Sequence, residues 1–207
     1  MSSIELPSSA GAILLPETTL FPHGALPLHV FEDRYRQMLV DALEGNCLFC
    51  VARLLGEETD DPSLCTDPIG TIGLIRASRE LPDGRSHLVL HGVCRVRFAG
   101  WGTEKPYPYA DIVPFESIDV PTPDAPEHVK RLRDAVSKVL SSFPPEVMEQ
   151  VNELLDRAGD PFIMADAVAQ QFVHDQALRQ ALLEEPEVAT RIDLIVDHLR
   201  SLRQGES

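Results

Sequence analysis

The chain has 207 residues, 43% of them hydrophobic, and a formal net charge of −15 from 33 acidic and 18 basic side chains. That length can hold one large domain or two small ones with a real core. Because phosphate groups are bound through Lys and Arg, the excess of carboxylates argues against binding to nucleic acid or to an anionic membrane. Residues 1–10 lack the features of a signal peptide, and four cysteines do not indicate a disulfide scaffold. We expect a soluble cytoplasmic protein.

The first half of the chain is predicted to form strands and one helix. Apolar runs predict strands at residues 11–15, 28–31 and 47–55. A helix is predicted near residues 32–44, because its apolar positions follow the i, i+3, i+4, i+7 spacing of a buried face. Gly45 is expected to end this helix in a left-handed conformation.

Further strands are predicted after an acidic loop that carries five carboxylates between residues 57 and 67. The dipeptide Asp83-Gly84 separates residues 70–79 from residues 85–91 and is typical of a hairpin turn. Residues 93–98 and 109–115 complete the series. Many short strands with regular turns predict a barrel or a sandwich.

The hydrophobic period becomes helical beyond residues 120–126, which contain three prolines and are the best linker candidate. Gly159 is predicted to end one helix, and Asp160 and Asp175 are predicted to cap the next two. The chain is therefore divided into a β domain over residues 8–118, a linker over 119–126 and a helical domain over 127–204.

No constellation for catalysis is visible. The sequence has three lysines, none of them after a glycine-rich phosphate loop, and it contains no G-x-S-x-G, HExxH or GxGxxG motif. The acidic loop lacks the ligand order of a calcium loop and is interpreted as solvated. We therefore expect a protein that is not an enzyme, with no catalytic residue, no metal ligand and no cofactor.

Cysteine and histidine pairs leave an alternative open. Cys47-Leu-Phe-Cys50 is a CxxC that could serve a thiol- or metal-dependent small-molecule protein, although a second CxxC is missing and strand alternation separates the two thiols. Buried cysteine as a small hydrophobe is the favoured interpretation. His87 and His91 would share one strand face and are interpreted as surface or cross-strand residues.

One segment is far more specific than these. It reads Leu20-Phe-Pro-His-Gly24, followed by Leu26-Pro-Leu-His-Val-Phe-Glu-Asp-Arg-Tyr-Arg-Gln-Met38. This segment resembles the signature of the amino-terminal, substrate-binding domain of Lon protease. The resemblance continues through residues 70–73, 80–85, 92–95 and 107–110, and the chain departs from the usual pattern at His23 and Asp33.

The resemblance implies an α+β fold, a PUA-like β-pseudobarrel with one embedded helix followed by a C-terminal α-helical bundle. The chain resembles the stand-alone bacterial Lon-domain proteins, which lack the ATPase and peptidase domains. The function it implies is non-catalytic recognition of unfolded or tagged polypeptides, as an adaptor or regulator of ATP-dependent proteolysis with a protease or chaperone as partner. RNA binding by a PUA-like fold is a further alternative, and the oligomeric state is left open.

A polypeptide site is predicted where residues 26–35 meet the hairpin at residues 81–85. Its residues would be Leu26, Leu28, Phe31, Tyr35 and Leu81. The prolines between residues 16 and 27 cannot pair fully in a sheet, so they should leave an exposed edge to which a peptide can add. The alternative is structural: Phe31 and Tyr35 would pack together at the helix start, and Glu32 would pair with a cation one turn on, Arg36.

Overall fold

Residues 5–121 and 123–204 are described by a computed structural model in which the chain divides into two units, Met1–Phe115 and Glu116–Ser207. The first unit contains one α-helix and six strands, in the order β1 (Ser9–Pro16), β2 (Ala25–Val30), α1 (Asp33–Glu44), β3 (Leu48–Leu54), β4 (Ile69–Glu80), β5 (Ser86–Gly102) and β6 (Tyr109–Pro114), with a short 3-10 helix at Pro62–Leu64 between β3 and β4. The predicted β-rich unit with one embedded helix is confirmed.

The sheet is mixed and curls back on itself. Its strand order is β2-β5-β4-β3-β1-β6, and β5 also pairs with β6. β5 is 17 residues long, so its first part pairs with β2 and its last part reaches β6. Only the β1–β3 pair is parallel among the described strands. β2 has β5 as its one described neighbour and therefore lies at an edge.

Alternating side chains build two apolar clusters on opposite faces of this sheet. Phe49 and Val51 join Met38 of α1 in one cluster, and the intervening Cys50 joins Ile72 in the other. Successive side chains of a strand point to opposite faces, so a strand buried on both sides must be apolar throughout. This explains the unbroken apolar run of β3.

Two predictions about local backbone structure in the first unit were wrong. Gly45 has a φ of −98°, and the left-handed residue is instead Cys47, at φ 60°, whose N–H donates to the carbonyl of Ala42 at 2.8 Å. The two strands predicted at residues 85–91 and 93–98 are one strand, because a register shift in its pairing with β4 absorbs the change of alternation.

The predicted Glu32–Arg36 pair does not form. Arg36 contacts Asp33 at 3.0 Å, and Glu32 contacts Arg34 at 2.9 Å. All four side chains are at least partly exposed to solvent at the start of α1. The observed pairs are two and three residues apart, instead of the four residues of the predicted pair. Exposed pairs of this kind contribute little to stability.

The second unit contains the helices α2 (Ala125–Val139), α3 (Pro145–Ala158), α4 (Pro161–Phe172), α5 (Gln176–Glu184) and α6 (Val188–Gln204). Gly159, at φ 61°, ends α3 as predicted. The carboxylates of Asp160 and Asp175 accept N–H groups of the first turns of α4 and α5 at 2.9 and 2.7 Å. No helix within the described residues is long and apolar enough to cross a membrane.

Candidate functional site

The edge strand β2 carries two of the five residues of the predicted polypeptide site. Leu26 and Leu28 are half-buried and pack against the cluster that contains Met38, whereas Ala25, Pro27 and His29 between them are exposed. Proline lacks an N–H group and is tolerated at a sheet edge, which explains its position in β2. The expectation of a strand edge near the prolines therefore agrees with the observed sheet order.

Phe31 and Tyr35 are separated, so the hydrophobic clamp predicted for them is wrong. The ring of Phe31 is 58% exposed and lies 5.8 Å from the ring of His29. Tyr35 is 3% exposed and belongs to the core cluster. Phe31 precedes the helix and keeps the strand-like outward direction of β2, whereas Tyr35 lies on the buried face of α1.

Tyr35 lies in the core below the predicted site and does not form part of its surface. Its hydroxyl oxygen accepts the N–H of Leu14 at 3.0 Å. Burial raises the pKa of Tyr35 to about 12, against the smaller opposing effect of that hydrogen bond. The guanidinium of Arg34 lies 4.5 Å above the centre of the Tyr35 ring. These contacts fix the start of α1 against β1.

Leu81 lies in the β4–β5 hairpin, outside the apolar cluster that holds Leu26, Leu28 and Tyr35. Its N–H donates to the carbonyl of Arg85 at 2.7 Å, and its carbonyl accepts the N–H of Gly84 at 2.9 Å. Gly84 has a φ of 78°, the left-handed conformation expected of an Asp-Gly turn. A cavity of about 360 Å³ lies between the Gly84 turn and α1.

A second cavity opens on the other face of the β2–β5–β4 layer. It has a volume of about 390 Å³ and is lined by Pro27, Leu28, His29, Ala77, Ser78, Arg79, His87, Leu88 and Val89. His29 and His87 are directly opposite in the β2–β5 register, and their rings stack with centroids 4.6 Å apart. Sequence reasoning singled out His87 but missed His29, because only the strand register pairs them.

The CxxC does not form a shared site. Cys47 packs in the cluster beside α1, and Cys50 packs in the cluster on the opposite face. Burial raises the pKa of the Cys50 thiol, so its thiolate is disfavoured. The described residues contain no group of three or more His, Cys, Asp or Glu side chains placed to hold a metal ion.

A polar cluster that sequence reasoning missed joins α1 to the loop before β6. Asp41 accepts hydrogen bonds from the Tyr107 hydroxyl at 2.6 Å, from Lys105 Nζ at 2.9 Å and from Gln37 at 2.7 Å. These donors, Tyr107 first, lower the pKa of Asp41 from 3.8 to about 2. No spacing in the sequence connects positions 41 and 107.

Comparison with known proteins decides the family. The family model described as the ATP-dependent protease La (LON) substrate-binding domain matches residues 11–201. The chain belongs to this Lon substrate-binding domain family. The match confirms the resemblance drawn from residues 20–38 and extends it across the helical unit.

The amino-acid sequence of the chain is also similar to the sequences of Lon proteases. The Lon protease of Escherichia coli (strain K12) is 25% identical over 206 residues, covering 96% of this chain and 25% of that protein. The Lon protease of Flavobacterium johnsoniae is 32% identical over 113 residues, covering 54% and 14% respectively. The chain spans about a quarter of the length of the curated relatives that it matches from end to end.

Two solved structures share the fold of this Lon-family chain. The N-terminal domain of Mycobacterium avium complex Lon protease has a TM-score of 0.74 at 15% identity, covering 93% of this chain and 98% of that one. A Lon N-terminal domain protein from Xanthomonas campestris has a TM-score of 0.66 at 20% identity, covering 92% and 98%. Both confirm a β-rich unit followed by helices.

Proposed function

We propose that this chain is a non-catalytic substrate-recognition module that binds exposed apolar segments of unfolded or tagged polypeptides. The chain would also bind a protease or chaperone as its partner. It would then act as an adaptor or regulator of ATP-dependent proteolysis. The observation that carries the proposal is the exposed ring of Phe31 at the end of an edge strand, in a chain of the Lon substrate-binding domain family.

The geometry of β2 suits an extended ligand. A strand with one neighbour presents main-chain groups along its other edge, and an added peptide can use them for affinity. Pro27 removes one donor from β2, so recognition would depend more on side chains than in an edge strand without proline. Phe31, 58% exposed, supplies the apolar anchor, while Leu26 and Leu28 lie half-buried below the edge.

Tyr35 and Leu81 have indirect roles in this proposal. Tyr35 holds α1 in place through its hydrogen bond to Leu14, and Leu81 keeps the hairpin turn closed. Cys47 and Cys50 are not used, because they face different clusters.

The test measures the binding of an uncharged, Leu-rich peptide that carries a neutral dye. The fluorescence anisotropy of the dye reports the fraction of peptide bound. We expect a Kd in the micromolar range, about −8 kcal/mol. Phe31→Glu should weaken binding at least tenfold, because it places a charge on the apolar anchor. The matched control is Leu64→Glu, since Leu64 is 77% exposed in the acidic loop of the same unit.

Both variants should keep the thermal unfolding midpoint of the parent, since both side chains are exposed. Equal binding by the parent and Phe31→Glu would place the site elsewhere. Absence of binding by the parent to any unfolded polypeptide would overturn the proposed function while leaving the fold untouched.

A further inference from the structure

Histidines are concentrated on one side of the first unit. His29 of β2 is stacked on His87 of β5, and His91 lies four residues further along β5 on the same face. His23 precedes β2, and its N–H donates to the carbonyl of Gly92 at 2.9 Å. Of the seven histidines of the chain, His29 and His87 line this cavity, and His91 lies on the same face of β5.

Two arginines of β4 extend the same face. Arg79 is opposite His87 in the β4–β5 register, so His29, His87 and Arg79 form one row across three strands. Arg76 lies at a register shift near His91, and burial, then Arg76 and His23, hold the pKa of His91 below its ordinary value. The surroundings of His91 are therefore cationic.

Carboxylates are missing from the residues that line this cavity, although the chain has a net charge of −15. The nearest acidic residue of β4 in sequence, Glu80, belongs to the opposite side, where it lines the cavity beside α1 with Asp33 and Arg36. In the hairpin, Asp83 is paired with Arg85 at 2.6 Å. The positive character of the face is therefore not neutralised by the acidic residues of its own strands.

Beside the row of His29, His87 and Arg79 lies an apolar one. Pro27, Val89 and Ala77 are opposite one another on β2, β5 and β4. Along β5 the face thus presents His87, Val89 and His91, two residues apart, which is about 7 Å per step. In the row beyond Val89, the register places Ala25 and Leu74 on either side of His91, and Arg76 lies at the adjacent register shift.

We propose that the histidine face, defined as His29, His87, His91, Arg76 and Arg79 with Val89 at its centre, binds an extended polypeptide segment with acidic residues at positions i and i+4 and an apolar residue at i+2. An extended segment that lies along β5 on this face has the same two-residue repeat, so its side chains match His87, Val89 and His91. The inference rests on the proposed function and specifies its substrate class. Charge complementarity and the apolar middle row carry it.

The row order favours a polypeptide over RNA. Single-stranded nucleic acid is bound by several aromatic platforms for its bases and a continuous cationic track for its backbone. Here an apolar row of Pro27, Val89 and Ala77 separates Arg79 and His87 from His91, and Phe31 is a large exposed aromatic ring next to His29. The net charge of −15 also repels a long polyanion.

Protonation should strengthen this recognition. Histidine side chains gain positive charge as the pH falls from about 8 to about 6, while the carboxylates of the ligand remain ionised. The arginines remain charged throughout. Binding of an acidic segment should therefore tighten across this range, and His91 should contribute its charge last, since its pKa is lowered.

The test uses the full chain and two synthetic peptides labelled with a neutral dye, one with Glu at i and i+4 around a central Leu, the other with Gln in place of Glu. We expect the Glu peptide to bind about tenfold more tightly than the Gln peptide near pH 6, and the difference to shrink near pH 8. His87→Gln with Arg79→Glu should abolish the preference. Arg157→Glu makes the same charge change as Arg79→Glu on the exposed surface of α3 and should leave the preference intact.

Equal binding of the two peptides near pH 6 would overturn the inference, and so would a preference that survives in the His87 and Arg79 variant. Tighter binding of a short single-stranded RNA than of the Glu peptide would overturn it in favour of nucleic acid. The uncharged Leu-rich peptide separates the two proposals. If it binds and depends on Phe31, the proposed function stands even when the charge preference fails; if only the Glu peptide binds, the preference for apolar segments fails instead.

Discussion

The hydroxyl oxygen of Tyr35 accepts the backbone N–H of Leu14 at a point where β1 has run past its neighbour β6. β6 pairs with β1 through residues 9–11, and the next donor on that side, the N–H of Ala12, goes to the carbonyl of Pro108 at 2.8 Å. A buried N–H group without an acceptor costs free energy. The Tyr35 hydroxyl therefore supplies the acceptor that a neighbouring strand would otherwise provide.

Tyr35→Phe should therefore lower the free energy of unfolding by about 1–3 kcal/mol, because it leaves the Leu14 N–H buried without its acceptor. Urea denaturation of the variant and the parent would measure the loss. Tyr109→Phe, at a half-buried ring on β6, is the matched control and should cost less. Equal losses for the two variants would contradict a special role for the Tyr35 hydroxyl.

A buried ion pair holds α4 and α6 together. Arg191 contacts Asp166 at 2.9 Å, and each side chain is 1% exposed. Asp166→Asn should cost about 3–5 kcal/mol of unfolding free energy, because it leaves a buried guanidinium without its counter-charge. Asp197→Asn, which breaks the exposed pair with Arg200, should cost less than about 1 kcal/mol. Similar losses for both pairs in thermal denaturation would refute the distinction.

The Asp41 cluster predicts a pH dependence with a definite sign. The pKa of Asp41 is lowered from 3.8 to about 2 in the folded chain, so its hydrogen bonds stabilise the fold above about pH 4 and are lost as the pH falls from 3.8 towards 2. Tyr107→Phe removes the largest cause and should raise this pKa. NMR titration of the Asp41 carboxyl carbon would measure it. A titration midpoint unchanged by the substitution would assign the shift to Lys105 and Gln37.

The two thiols of the CxxC should differ in reactivity. Cys50 is fully buried with a raised pKa, whereas Cys47 is half-buried at the end of the α1–β3 connection. Under native conditions a thiol reagent should modify Cys47 before Cys50. Cys50→Ser should cost about 1–3 kcal/mol by burying a hydroxyl group. Simultaneous modification of both thiols, or stoichiometric zinc in the purified protein, would contradict a structural role.

The segment that connects β6 to α2 should be the preferred site of limited proteolysis, within residues 116–128. Part of this segment is tied to the helical unit, since the N–H of Ile118 donates to the carbonyl of Pro186 at 2.8 Å and its carbonyl accepts the N–H of Val188 at 3.0 Å. Cleavage is therefore expected on the α2 side of Ile118. Digestion by a nonspecific protease, with fragments identified by mass, would show it. Cuts confined to other loops would argue against a separable linker.

The sequence alone determined most of the elements and their order, because these depend on local physics. Apolar spacing along residues 32–44 defines one face of a helix whatever its partner, and Asp83-Gly84 forms a hairpin turn through its own backbone preferences. Asp160 and Asp175 likewise cap helices through N–H groups two or three residues away. The motif around Leu26 and Phe31 was sufficient to indicate the family.

Only the tertiary structure decided which distant residues meet. Register places His29 beside His87 and Arg79, and the path of the chain brings Tyr107 to Asp41, although no period in the sequence relates these positions. The tertiary structure also separates Phe31 from Tyr35. At the end of β2 the side chain of Phe31 points to solvent, whereas on α1 the side chain of Tyr35 points into the core. Such pairings depend on non-local strand alignment, in which a shift of one residue moves every side chain to the other face.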